Sequence, residues 1–180
     1  MSFLTSKPLA CFRTGPLVAF LLWVTLPAAA FAAAPQPSAT APVHPSALYA
    51  QECAACHIAY PARMLPAPSW RRLTSSLDRH FGTDASLDPA TVAALASWLE
   101  AGAARSGRAV APPAEDRITR SDWFVREHRA FDAAAWAIPS VRSAANCAAC
   151  HGGAADGDFK ERGLRIPAGM PARYRRAFED

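Results

Sequence analysis

Hydrophobic and polar positions alternate along this chain with helical rather than strand-like periods. Ser46 to His57 carries helix formers up to a Cys-rich end. Trp70, Leu73 and Leu77 fall on one stripe, so a helix capped by Ser69 and running to about His80 is expected, with Gly82 closing it. Asp88-Pro89 is a helix start, because Pro is tolerated where the first amides have no partners. Val92, Leu95, Ala96 and Leu99 then recur at helical spacing until about Gly102. Ser121 or Asp122 starts a further helix through His128, with Trp123, Phe124 and Phe131 to pack. Pro139 to His151 reads as helical, and the tail containing Pro167, Gly169 and Pro171 as irregular. No segment alternates convincingly as a strand. The expected class is all-α: small helices and long loops, better suited to wrapping something large than to forming a free-standing bundle.

The first residues change the picture. Lys7 and Arg13 precede a short uncharged apolar run, Leu17 to Leu26, which Pro27 breaks. Small residues follow at Ala30, Ala32 and Ala34. Residues 1–34 therefore read as a signal peptide, too short in its apolar part for a confident membrane span. Cys11 lies before the apolar run and is lost with the leader. Export of this kind points to a periplasmic compartment, where thiols tend to oxidise. Residues 35–45, rich in Pro, read as a flexible lead-in. The remainder, 46–180, is one domain with lobes at about 46–107 and 113–180, joined by the Pro- and Gly-containing stretch from Gly107 to Pro113.

Composition narrows the function. Hydrophobic residues are 51% of 180, which excludes disorder throughout. The net charge is +4, but two of those charges belong to the leader. With 17 basic against 15 acidic residues left, a polybasic nucleic-acid binder is excluded.

The chemistry lies in one pentapeptide written twice: Cys53-Ala54-Ala55-Cys56-His57 and Cys147-Ala148-Ala149-Cys150-His151. Cys-x-x-Cys-His is the attachment signature of c-type haem. On a helix, positions i, i+3 and i+4 share a face, so two thiols can bond one porphyrin while the adjacent imidazole reaches its iron. Zinc, thiol-redox and disulfide readings compete. A zinc ribbon wants its Cys pairs within about twenty residues, and these lie 94 apart, from 53 to 147. A redox dithiol gives the His no role, and structural disulfides do not explain why His follows both motifs. With 5 His in 180 residues, two such coincidences come to roughly one in a thousand. Two covalently attached haem c groups are expected, held by Cys53, Cys56, Cys147 and Cys150, with His57 and His151 on iron.

Each iron has a second face. His80 and His128 lie on predicted helices among aromatic residues, and His is a common axial ligand. His57 to His80 spans 23 residues, as does His128 to His151, in reversed order. Pairing His57 with His80 and His151 with His128 needs the shorter loop closures, while the crossed pairing stays open. Met170 is the strongest rival ligand for the second haem. Met64 lies too soon after His57 to reach the opposite face, and His44 sits in the lead-in. Trp70 and Trp123 are read as packing groups.

These segments resemble the dihaem cytochrome c family of bacterial periplasmic electron carriers. The likeness runs from Leu48 to Pro167. It rests on Cys53 to Pro61, Leu65-Pro66-Ala67-Pro68-Ser69-Trp70 and His80-Phe81-Gly82 with Asp84 to Leu87. In the second half it rests on Trp123-Phe124, Arg126 to Arg129, Asn146 to His151, Gly157-Asp158-Phe159 and Ile166-Pro167. The resemblance implies bis-His, low-spin haems with His80 and His128 in the distal places, and electron transfer rather than turnover. It also implies redox partners, since some members are associated with a small oxygen-binding haem protein and with membrane cytochromes b. A dihaem enzyme of peroxidase type, with one open or switchable haem, is the alternative from another class.

Overall fold

The computed structural model describes residues 44–107 and 110–179. The expected signal peptide and nearly all of the Pro-rich lead-in lie outside them. Among the described residues there are helices and turns but no strand, and no helix is long and apolar enough to cross a membrane. Isolated bridges, such as Pro66 with Ala104, tie loops together.

Three helices frame the first half. Helix α1, Pro45–Cys53, is capped by the side chain of His44, whose Nδ1 accepts from the Ser46 amide, with Pro45 in the first turn. His44 is thus a cap. Helix α2, Ala67–Thr74, starts earlier than expected: Pro66 takes the cap position and Ser69 is buried inside the first turn. It also ends earlier. The hydroxyls of Ser75 and Ser76 both donate to the Arg72 carbonyl, which the Ser76 amide would take in a continuing helix; that amide turns to the Leu73 carbonyl instead. A 3-10 turn, Leu77–Arg79, leads to His80. Beyond it Phe81 and Gly82 both have positive φ (51° and 94°), so Gly82 serves a turn rather than a helix end. Helix α3, Pro89–Gly102, begins as expected, with Asp88 accepting from the amides of Ala90 and Thr91.

Helices α1 and α2 both pack on α3. Their apolar faces form one cluster of Tyr49, Ala62, Leu65, Trp70, Leu95, Leu99 and Ala103. Trp70 satisfies its indole by donating to the Ala62 carbonyl at 2.7 Å, and Tyr49 donates to the Tyr60 carbonyl at 2.9 Å. Tyr49→Phe removes that single hydroxyl and leaves a carbonyl to find another donor. It is expected to cost about 1 kcal/mol, read as a lowered midpoint in denaturant with the haem content unchanged.

In the second half, α4 (Asp122–Glu127) begins at the Ser121 cap and ends on His128, as expected. Helix α5, Ala133–Trp136, is a short turn capped by Asp132. Pro139 to His151 is not a helix. Val141 and Arg142 both donate their amides to Ile138, Arg142 turns to a φ of 67°, and the Asn146 side chain donates to the Val141 carbonyl. These local bonds close two successive turns in place of a helical ladder. Only Cys147–Ala149 is helical there, as a 3-10 turn. The tail, expected to be irregular, forms α6, Ala172–Arg175, and Tyr174 ties it to Asp132. Ala135, Val141, Met170 and Tyr174 make the second core, with Phe131, Trp136, Ile138 and Phe178 packed against it.

Candidate functional site

The first pentapeptide starts on the last residue of α1. Cys53 ends the helix and the chain turns through Ala54 to Cys56 before His57. The second is built on its own 3-10 turn, closed by amide bonds from Cys150 and His151 to the Cys147 carbonyl at 3.2 and 2.8 Å. Neither motif lies along a continuous helix, as the i, i+3, i+4 argument assumed. In the second, the 2.8 Å bond from His151 still spans i to i+4, so one closed turn gives the spacing the motif needs.

His57 faces His80, with ring centroids 6.1 Å apart and planes inclined by 31°. His128 faces His151, at 6.2 Å and 68°. The rings that face each other are the sequence-local ones, the arrangement with the shorter loop closures. Two imidazoles on opposite faces of one metal, each bonded at about 2 Å with ~1 Å more from nitrogen to ring centre, stand about 6 Å apart. Both pairs have that separation.

In each pair the earlier His is anchored through Nδ1. The His57 Nδ1–H donates to the Ile58 carbonyl at 2.7 Å, and the His128 Nδ1–H donates to the Phe124 carbonyl at 2.9 Å. A carbonyl only accepts, so Nδ1 carries the proton and Nε2 is left with its lone pair for a metal. His57 also stacks on Tyr60 at 4.8 Å, and His128 on Phe124 at 4.0 Å and 17°. The Nδ1 atoms of His80 and His151 are buried without a hydrogen-bond partner. Packing orients these rings instead, with Phe81 at 4.9 Å from His80 and Phe159 at 5.3 Å from His151. Burial holds the imidazoles of His80, His128 and His151 below the usual histidine range, hence neutral and able to ligate.

Cys53, Cys56, His57 and His80 line a cavity of about 390 Å³ whose other walls include Trp70, Leu73, Leu77, Leu95 and Leu99. Cys147 of the second motif and Ala145, two residues before it, reach the same cavity. Its polar residues include Asp116, held by both guanidinium bonds of Arg72, and Arg117, which lies over the Phe81 ring at 4.2 Å. An apolar cavity with two thiols and two opposed imidazoles suits a porphyrin edge-bonded to sulfur.

The same residues fit the rival chemistries poorly. Burial pushes the thiols of Cys53 and Cys147 up to about 11, and raises Cys150 as well. A redox dithiol or a zinc site requires the thiolate. Among the described residues, no cluster of three or more His, Cys, Asp or Glu is arranged to hold a metal ion. Cys53, Cys56, Cys147 and Cys150 are all free of disulfides.

Met170 sits in the second core, 3% exposed, among Ala135, Val141 and Tyr174. Met64 is buried in the turn after the first motif. Trp70 packs in the first core, and Trp123 lies against Phe124 with ring centroids 6.0 Å apart. The sequence pointed to Phe124 only as a packing residue and gave Tyr60 no role of its own, yet these are the two rings stacked under the anchored histidines. Their positions four before His128 and three after His57 were the available signal.

The dihaem cytochrome c family model matches residues 49–159. The dihaem cytochrome c of Shewanella baltica OS155 is 36% identical, covers 70% of this chain and 96% of its own, and superposes with a TM-score of 0.61. Two structures of dihaem cytochrome c from Rhodobacter sphaeroides are 44% identical. Each covers 63% of this chain and 95–96% of its own, with TM-scores of 0.55 and 0.57. No curated protein matches. The match spans more than half of the chain, both pentapeptides and both histidine pairs, and the chain belongs to the dihaem cytochrome c family, whose members carry two covalently bound c-type haems.

Proposed function

We propose that this protein is an exported, periplasmic one-electron carrier whose two low-potential haems are each closed on both faces by histidine. The observation that supports this reading best is the two pairs of opposed imidazoles, with ring centroids 6.1 and 6.2 Å apart. The haem supplies reversible one-electron chemistry at iron. Cys53 and Cys56 would hold one group, with His57 and His80 to ligate its iron. Cys147 and Cys150 would hold the other, with His151 and His128 to ligate its iron.

The protein's contribution is to keep those positions fixed. Carbonyl anchors on His57 and His128 and aromatic packing around all four rings resist rearrangement of the ligands. Occupied faces leave no place for oxygen or peroxide, which is why a carrier is favoured over turnover. Two histidines also lack the potential-raising effect of a Met ligand. The peroxidase-type alternative needs a ligand that leaves on activation. Met170, the residue available for exchange with His128, is instead packed in the second core.

The partners proposed are other redox proteins of the same compartment, including a small oxygen-binding haem protein or a membrane cytochrome b. Near-neutral charge after leader removal favours brief contacts at haem edges over a steered, salt-sensitive complex. Stopped-flow mixing of the reduced protein with candidate haem-protein acceptors tests this. Rapid one-electron oxidation of both haems, slowing only moderately between low and high salt, is expected. A stable complex that exchanges no electrons contradicts it.

A further inference from the structure

Three of the residues that follow the first motif by three to six positions, Tyr60, Pro61 and Arg63, cross to the second half. The Tyr60 hydroxyl donates to the Ala145 carbonyl at 2.6 Å, across 85 positions, and Ala145 lies two residues before Cys147. Arg63 donates to the Gly157 carbonyl at 2.9 Å, across 94 positions, and Gly157 lies six residues after His151. The Pro61 ring lies so close to Gly157 that a Cβ there would meet it at 3.4 Å, and Gly157 itself has a φ of +72°. One short segment therefore grips both flanks of the second attachment motif. Tyr60 does more than grip. Its ring stacks on the His57 imidazole at 4.8 Å and 27°, while Ala145 and Cys147 line the cavity that His57 lines.

We infer that Tyr60 is the positioning residue of the junction between the two haems: its ring orients the His57 imidazole and its hydroxyl pins the start of the second attachment motif, so that the two groups keep one fixed mutual geometry. This rests on the two-haem carrier reading, for which a constant inter-haem geometry is what makes passage between the sites reproducible. The two roles sit on different atoms of one side chain and separate by substitution. Tyr60→Phe keeps the stack and loses the pin. Tyr60→Leu loses both.

The test uses holoprotein with both haems attached, measured by Soret circular dichroism and by low-temperature EPR. Two neighbouring haems at fixed geometry give a bisignate Soret couplet. The parent is expected to show it, together with two low-spin EPR signals. Tyr60→Phe should lose the couplet while both EPR signals keep their parent g values. Tyr60→Leu should lose the couplet and also shift the signal of the His57 haem. Ser140→Ala, which removes a hydroxyl-to-carbonyl bond of the same kind (to Ala168, 2.7 Å) away from the junction, should leave everything unchanged. If Tyr60→Phe does not accumulate, Arg63→Ala releases the other flank and should weaken the couplet in the same way. A parent couplet retained in Tyr60→Phe, or in Arg63→Ala where that variant stands in, overturns the inference. A parent without two low-spin signals refutes the carrier reading instead.

Discussion

His80→Ala is expected to open one haem and leave the other untouched. The His80 ring stands across from His57 at 6.1 Å and is held by packing, without a hydrogen bond at Nδ1. On the proposed ligation its removal takes away one iron donor, and it frees no buried partner of Nδ1. The reduced variant should bind about one equivalent of carbon monoxide per chain, because a five-coordinate ferrous haem takes that ligand. The second haem should keep its low-spin spectrum. His128→Ala should do the same at the second haem, with a larger structural penalty. That ring stacks on Phe124 at 4.0 Å and lies 6.0 Å from Trp136, and its Nδ1–H bonds the Phe124 carbonyl. Losing the stack should cost about 1 kcal/mol, beyond the lost link to iron. The check is carbon monoxide titration of each reduced variant, with EPR of the oxidised forms. Binding at both haems in a single variant would contradict local pairing.

Met170→Ala should have the opposite signature: a large stability loss with no change at iron. Met170 is 3% exposed, its neighbours Ala135, Val141 and Tyr174 are all buried, and its carbonyl accepts from the Arg175 Nε. Truncation to Ala removes buried thioether volume and leaves a cavity, costing about 2–5 kcal/mol. Met170→Leu nearly conserves volume and should cost less than about 1.5 kcal/mol. In both variants the two haems should remain low-spin and refuse carbon monoxide. Opening of the second haem by Met170→Ala, together with a low-spin His128→Ala variant, would make Met170 the ligand and raise that haem's expected potential.

What could be read before the structure was whatever short-range chemistry decides. Asp88-Pro89 and Ser121 announce their helices because capping is a local hydrogen bond between a side chain and the next amides. The pentapeptides announce their cofactor because one turn of chain contains all the atoms the attachment needs. The facing of His57 with His80 and of His128 with His151 follows from short-range closure as well, since the local pairing needs the shorter loops. The failures have a common source in competition among local bonds. Ser75 and Ser76 look neutral in a helical stripe, yet their hydroxyls end α2 six residues before His80. Asn146 looks like an ordinary approach to a motif, yet its side chain helps fold the preceding segment into turns. Tyr60 and Ala145 show a different limit. Their contact joins positions 85 apart, and no pattern in either segment encodes the other.

If both irons are closed by histidine pairs, the unmodified holoprotein itself shows it. Carbon monoxide added to the fully reduced parent, followed in the Soret region and paired with EPR of the oxidised form, reads both haems in one preparation. No carbon monoxide complex should form, and two low-spin ferric signals with no high-spin component should appear. One haem that binds carbon monoxide in the parent, or a high-spin ferric signal of comparable intensity, would contradict that closure and favour the enzyme reading.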